Sequence, residues 1–389
     1  MSGPLDGYRV VELAEGVAGP YCAMVLGDAG AEVVKVEPPA GDRARGWGPP
    51  FQGETSAVFL SLNRNKRSVV LDLAEASGAE SARRLLAAAD VAVVDANRLP
   101  APALCYEAVA ALNPRLVWCQ ISGYGDRGPW AGRPAGELPA QLLSEATASL
   151  GRIGEEPVRL GTDVASMYAA NYAVQAICAA LLERERSGLG QRIDVSLFGS
   201  MLAMRSTLWV ALSNPDEWWG FHLDSYVKPP DHGYRCKDGA IFFSLARMEP
   251  QRFDGLLRDL QMEWARDDPL FPLLAQDTAG GTGRNAHVVK QLWERAFAAF
   301  TTDEVAAIVE RHGGITFPMN DYAQFVALPQ VQHLGMVPEI EQPSVGPMRV
   351  LAPPWEFSET TAAIRRPAPR LGEHTDEVLR ELAAGEARP

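Results

Sequence analysis

The 389-residue chain is long enough for two domains with full hydrophobic cores, because single cores stop growing at about 250 to 300 residues. Its composition, 47% hydrophobic and 22% charged with 29 dispersed prolines, is that of an ordinary globular protein, and its formal charge of −13 argues against a nucleic-acid partner, which would need clustered Lys/Arg on one face. No run of about 18 apolar residues reads as a membrane span, and Met1 to Gly7 lacks the basic-then-apolar pattern of an export signal, so a soluble, cytoplasmic protein with no membrane partner is expected.

The first 125 residues alternate strand-like apolar runs with helical segments. Arg9-Val10-Val11-Glu12-Leu13 leads into small residues from Gly19 to Gly27 and then Glu32-Val33-Val34-Lys35-Val36. After a loop rich in Gly and Pro come Ser68 to Leu73, a helix from about Ser77 to Ala88, the run Asp90 to Val94, a short helix, and Leu116 to Ile121. Strand, helix, strand at this spacing predicts parallel βαβ units and an open α/β sheet. No GxGxxG or GxxxxGK[ST] follows any strand, so neither nicotinamide nor ATP comes with this fold class. Gly16-Val17-Ala18-Gly19-Pro20, where the first strand meets the first helix, is either a plain tight turn or a place where free helix N–H groups hold an anion.

From Gly161 to Glu185 the residues are helix formers, with alanine at 165, 169, 170, 173, 176, 179 and 180. Small side chains on several faces mean that other elements approach closely. The helix stops at Ser187-Gly188-Leu189-Gly190, and a strand-like 192–197 and a second buried helix to about Leu212 follow. From Pro229 the pattern changes to a short strand pair around Tyr234 to Phe243, turning at Asp238-Gly239, and then to amphipathic helices at 284–300 and 302–312. The expected organisation is a large α/β domain starting at 1–212, a small α+β domain with its linkers at 213–338, and a segment at 339–389 that returns to complete the large domain.

Five scattered cysteines, Cys22, Cys105, Cys119, Cys178 and Cys236, form no CxxC pair, and the six histidines are dispersed. Buried, reduced cysteines and no metal are expected.

In this order the motifs resemble the class III CoA-transferases, the formyl-CoA/carnitine CoA-transferase family of the bile-acid-inducible protein F type. The resemblance runs from Leu5 to about Leu382. It is carried by Leu5-Asp6-Gly7-Tyr8-Arg9-Val10-Val11-Glu12-Leu13, Ala18-Gly19-Pro20 and Leu26 to Pro38. Leu62-Asn63-Arg64-Asn65-Lys66-Arg67-Ser68, Asn113-Pro114-Arg115-Leu116-Val117, Ile121 to Gly125, Leu181 to Leu197 and Pro369 to Thr375 add to it. The resemblance implies an inserted small domain, an interlocked dimer, and coenzyme A or an acyl-CoA as substrate. It also implies a catalytic aspartate on the helix before Gln191, a position held here by Ser166.

Moving CoA from a thioester to a carboxylate needs an enzymic carboxylate as nucleophile. Three accounts of Ser166 stay open. Ser166 itself attacks, although no GxSxG or histidine lies near it in sequence. Asp163, one turn earlier and displaced by about 5 Å, stands in. Or transferase chemistry is lost, and the chain is a non-catalytic subunit, in a homodimer or beside an Asp-bearing sister, or a diverged member. The non-enzymatic subunit is the hypothesis from another class; a further alternative is a repurposed acyl-CoA or acyl-carrier lyase or isomerase using Glu137 or Asp163. Glu137 matches an acidic residue of the family's active site, and its competing role is an ion pair with a neighbouring Arg. The racemase branch would place His at Glu137 and Asp at Ser166, so racemisation is not expected.

The positions that match the family's CoA cradle are Val17, Ala18, Pro38, Leu71, Asp72, Asp95 and Ala135, with Lys35 beside them. Val17, Pro38 and Val94-Asp95 replace polar, basic and Glu-Asn residues of relatives, and the segment 96–106 is shorter than usual. Lys66 and Arg67 meet CoA phosphates or lie in a solvated turn. Trp209, Trp218, Trp219, Phe221 and Tyr226 line an acyl pocket or pack an interface.

Overall fold

The computed structural model describes residues 2–96, 102–144, 146–147, 156, 158–206, 233–245, 248–276, 285–343 and 345–384. Six strands, β1 (Arg9–Leu13), β2 (Glu32–Glu37), β3 (Lys66–Val70), β4 (Val91–Asp95), β5 (Val117–Ser122) and β6 (Arg192–Ser196), form one sheet in the order β3-β2-β1-β4-β5-β6. Every neighbouring pair is parallel. Burial on both faces explains why these strands read as continuous Val-rich runs rather than alternating ones: Val10, Val11, Val33, Val34, Val93 and Val94 are all buried.

Helices α1 (Ala18–Asp28) and α6 (Val164–Ser187) share one core with the sheet, while the short α2 (Ala57–Leu62) packs on Ala44 and Ala368. On the other face α3 (Ala76–Ala87), α4 (Tyr106–Ala110) and the C-terminal helix Thr375–Ala384 build a second core. By length and composition α6 could cross a membrane, against the sequence expectation that no such run exists. Its Ala165, Ala169, Ala170 and Ala173 are fully buried in the α1 core, so here it is a core helix. It ends at Gly188 with φ of 75°, and a Cβ on Gly190 would lie 2.1 Å from the Leu116 carbonyl oxygen, which is why the stop needs glycine at both places.

β3 begins at Lys66, two residues before the expected strand. Apolar periodicity misses this start because Lys66 and Arg67 are charged yet buried, each paired with acids from other segments.

Contacts divide the chain into two compact units, one of Met1–Thr147, Arg159–Ser206 and Pro329–Pro389 and one of Ala148–Val158 and Thr207–Leu328. The returning segment is tied into the first unit, with Ala363 N–H donating to Asp28 O at 3.0 Å and Asn65 N–H to Arg366 O at 3.0 Å. In the second unit the antiparallel strands Tyr234–Arg235, Ala240–Ser244 and Ile315–Pro318 pack on Pro250–Asp259, Ala286–Phe297 and Thr302–Arg311. Edge-on aromatic contacts of Phe243 with Tyr234, Trp293 and Phe297, at 4.9, 5.0 and 5.3 Å, centre that core.

Candidate active site

Spatial order reverses between β1 and β4, and in open α/β sheets ligands bind beyond the carboxyl ends of the strands at such a switch point. A cavity of about 590 Å³ lies there, entirely within the first unit. One wall is the β1–α1 loop, another the turn bearing Arg43 and Trp47, a third the carboxyl ends of β4 and β5, and a fourth the starts of α5 (Glu137–Leu143) and α6. The first turn of α1 has no side-chain cap, and Pro20 in it carries no N–H. A smaller cavity of about 290 Å³ has Arg9, Glu32, Arg67 and Glu381 in its otherwise largely apolar lining, and these charges pair with one another.

Glu137 opens α5 and reaches across to α6. Its Oε1 accepts from Ala165 N–H at 2.7 Å and its Oε2 from Ser166 N–H at 2.9 Å. Gln141, one turn on, donates to the same Oε1 at 2.8 Å and accepts from Leu160 N–H at 3.1 Å. Asp163, the residue before the helix, makes no cap hydrogen bond, so the carboxylate of another element satisfies two of the orphan N–H groups of α6 and meets its positive end. Glu137 is therefore occupied by backbone donors, and among the described residues no arginine pairs with it. Burial and the neighbouring Glu137 charge push the Asp163 carboxyl up, against the pull of Arg159.

Beneath the β1–α1 loop lies a buried ion network. Lys35 Nζ donates to Glu12 Oε1 at 2.7 Å and to Ala14 O at 2.9 Å, and Lys66 Nζ to Pro20 O and Asn63 Oδ1, both at 2.8 Å. Asp42 Oδ2 to Lys35 and Glu12 Oε2 to Lys66, also 2.8 Å, are Coulombic contacts without hydrogen-bond alignment. Burial lowers the Lys35 affinity for its proton, but Glu12, Asp42 and Glu37 outweigh it and leave the pKa raised. For Lys66 burial wins, aided by Lys35, and the pKa falls to about 8. Asp42 Oδ1 ties the network to the cavity wall by accepting from Gly16 N–H at 3.1 Å and Ala44 N–H at 2.8 Å.

Val17, Ala18, Asp95, Ala135, Glu137, Asp163 and Ser166 all line the cavity. Pro38, Leu71 and Asp72 do not: Leu71 is buried in the α3 core, and Asp72 is exposed, with its Oδ1 accepting from Ala74 N–H. Lys35 is likewise not on the wall but wholly buried below it. Both expectations for Lys66 and Arg67 fail, since neither is solvated or open to a phosphate. Lys66 joins Glu12, and Arg67 is shared among Glu32, Glu377 and Glu381. Trp209, Trp218, Trp219, Phe221 and Tyr226, and most of the short 96–106 segment, lie outside the described residues. Arg43, Trp47 and Gln141 were missed; the Glu137-to-Gln141 spacing of one helical turn was the available signal for the last. Among the described residues no group of three or more His, Cys, Asp or Glu side chains could hold a metal ion.

Residues 5–375 match the family model described as CoA-transferase family III. Over 385 residues the chain is 32% identical to the succinyl-CoA:glutarate CoA-transferase of Homo sapiens, covering 97% of this chain and 86% of that protein. Over 394 residues it is 31% identical to the succinyl-CoA–L-malate CoA-transferase beta subunit of Chloroflexus aurantiacus, covering 97% and 94%. A solved CAIB/BAIF family protein from Brucella suis aligns with a TM-score of 0.84 at 32% identity, over 98% of this chain and 100% of that one.

Proposed function

The chain belongs to CoA-transferase family III, and from that premise we propose that it binds a CoA thioester of a short dicarboxylic acid in the 590 Å³ cavity without performing the transfer alone. In this role it is the non-catalytic subunit beside a sister chain that bears the aspartate. The observation that carries the reading is Ser166, a hydroxyl on the cavity wall at the start of α6.

Transfer requires a carboxylate at that place. It attacks the thioester carbonyl and expels CoA thiolate, leaving a mixed anhydride; the thiolate then attacks the enzyme's own carbonyl, releasing the first acid and forming an enzyme-CoA thioester. The acceptor carboxylate attacks that thioester, and the returning thiolate completes the new acyl-CoA while the enzyme carboxylate is freed. A serine has no carbonyl of its own for the thiolate to attack, so it cannot form the enzyme-CoA thioester; simple acyl transfer through its hydroxyl would need a base beside it, and among the described residues no histidine lines the cavity. Glu137 is no substitute nucleophile, because both its oxygens are bound by the α6 amides. The acyl class is supported by relatives named for succinyl-CoA, glutarate and L-malate, and the subunit role by one named as a beta subunit. The exposed Leu138, Leu142 and Leu143 on α5 are the kind of surface a partner chain covers.

A second reading rests on Asp163, whose uncapped carboxyl lines the same cavity. It would serve as a displaced nucleophile or as the base of a lyase or isomerase. The test is to titrate the purified chain calorimetrically with CoA and to assay transfer from succinyl-CoA to glutarate, with the wild-type chain and with Ser166→Asp. CoA binding by both and transfer by the variant alone are expected. Turnover by the wild type that Asp163→Asn abolishes would sink the non-catalytic reading in favour of the second; absence of CoA binding would sink both.

A further inference from the structure

Four carboxyl side chains line the cavity, Glu15, Asp95, Glu137 and Asp163, and among the described residues Arg43 is its one cation. An arginine in such company would ordinarily pair with an acid. Here its guanidinium makes no ion pair among the described residues and lies over Trp47, 5.6 Å from the ring centre; only the backbone N–H of Arg43 reaches Glu15, at 3.1 Å from Oε2. Its planar fork of donors is thus left for a ligand.

The placement is built into the fold. Asp42 starts the turn that carries Arg43 and is held by Lys35, Gly16 N–H and Ala44 N–H. Gly16, with φ of 82°, has no side chain beneath the pair: a Cβ there would come within 3.1 Å of the Trp47 ring and 3.4 Å of an Arg43 terminal nitrogen. The arginine and indole therefore rest against the β1–α1 loop, at the uncapped start of α1.

We propose that Arg43 holds the free carboxylate at the far end of the acyl group and so selects dicarboxylyl over neutral acyl thioesters, an inference that rests on the thioester reading above. A CoA phosphate would offer similar anionic oxygens. The carboxylate is favoured because two coplanar oxygens match one guanidinium, whereas the several phosphates of CoA would call for more cations than the one that the described residues place in the lining.

The test is calorimetric titration of the wild-type chain and of Arg43→Gln with CoA, butyryl-CoA and succinyl-CoA, thermal melts confirming that both are folded. The wild type should bind succinyl-CoA about tenfold or more tightly than butyryl-CoA. Arg43→Gln should erase that preference and leave CoA and butyryl-CoA within about twofold of their wild-type affinities. Equal weakening of all three ligands would assign Arg43 to a CoA phosphate and overturn the proposal. So would a succinyl preference absent from the wild type or surviving in the variant. Failure of the wild type to bind any of the three would overturn the thioester reading itself, and this inference with it.

Discussion

Oε2 of Glu137 accepts a 2.9 Å hydrogen bond from the backbone N–H of Ser166. This cavity-lining acid thus commits its charge to the helix whose start carries the serine. Removing it strips α6 of both external acceptors. Glu137→Ala should lower the unfolding free energy by about 2 to 3 kcal/mol, the scale of hydrogen bonds to a charged group with buried donors left unmet. Urea melts would show it as a lower midpoint with an unchanged slope, and a midpoint within error of the wild type would refute the capping role.

Ser166→Ala should leave both CoA affinity and any residual turnover unchanged, because the hydroxyl has no carbonyl to carry CoA and among the described residues no histidine lines the cavity to activate it. A loss of turnover beyond about tenfold, read from initial rates, would make Ser166 a nucleophile after all.

Asp163 has its carboxyl pKa raised above 3.8 by burial and by the repulsion of Glu137. Between the unfolded value and that raised value the folded chain holds the extra proton, so stability falls as pH rises through this window, and the ionised group is a net cost at neutral pH. Asp163→Asn keeps a side chain suited to the position before a helix. It should raise the melting temperature at pH 7, by an amount that shrinks towards zero as the pH approaches about 3.9. A pH-independent gain, or a loss at pH 7, would contradict this.

The two buried lysines should behave differently. Lys35 sits against Glu12 and Asp42, so Lys35→Met leaves two buried carboxylates short of a counter-charge and should cost about 3 to 5 kcal/mol. Lys66→Met should cost roughly half of that, since burial has already brought its pKa to about 8 and Glu12 keeps Lys35 as a partner. Parallel denaturant melts decide the order, and a larger loss for Lys66 would reverse the account.

Sheet and helices were legible from local pattern. The apolar runs around Val10, Val33, Val93 and Val117, the alanine ladder of α6 and its glycine stop depend on near neighbours in the chain, and each appears within a few residues of where periodicity put it. That Ser166 stands in the first turn of α6 could also be read from the helix pattern. What surrounds it could not, because the groups that decide its chemistry come from distant segments: Glu137 lies 29 residues away and Arg43 lies on a turn after β2. Pro38, Leu71 and Asp72, expected at the ligand from the resemblance, sit off the cavity because packing, not order along the chain, decides which ends of a loop face the crevice.

The sequence by itself determined that this is an open α/β chain of the CoA-transferase type, because periodicity and motif order are properties of the linear chain. Only the tertiary structure decided that Glu137 is occupied as a helix cap, that Lys35 and Lys66 are buried ion partners and that Arg43, beside Trp47, has no ion pair among the described residues. The physical reason is that charge in a folded protein takes its meaning from desolvation and from partners brought together across the fold, and neither is encoded at any single position.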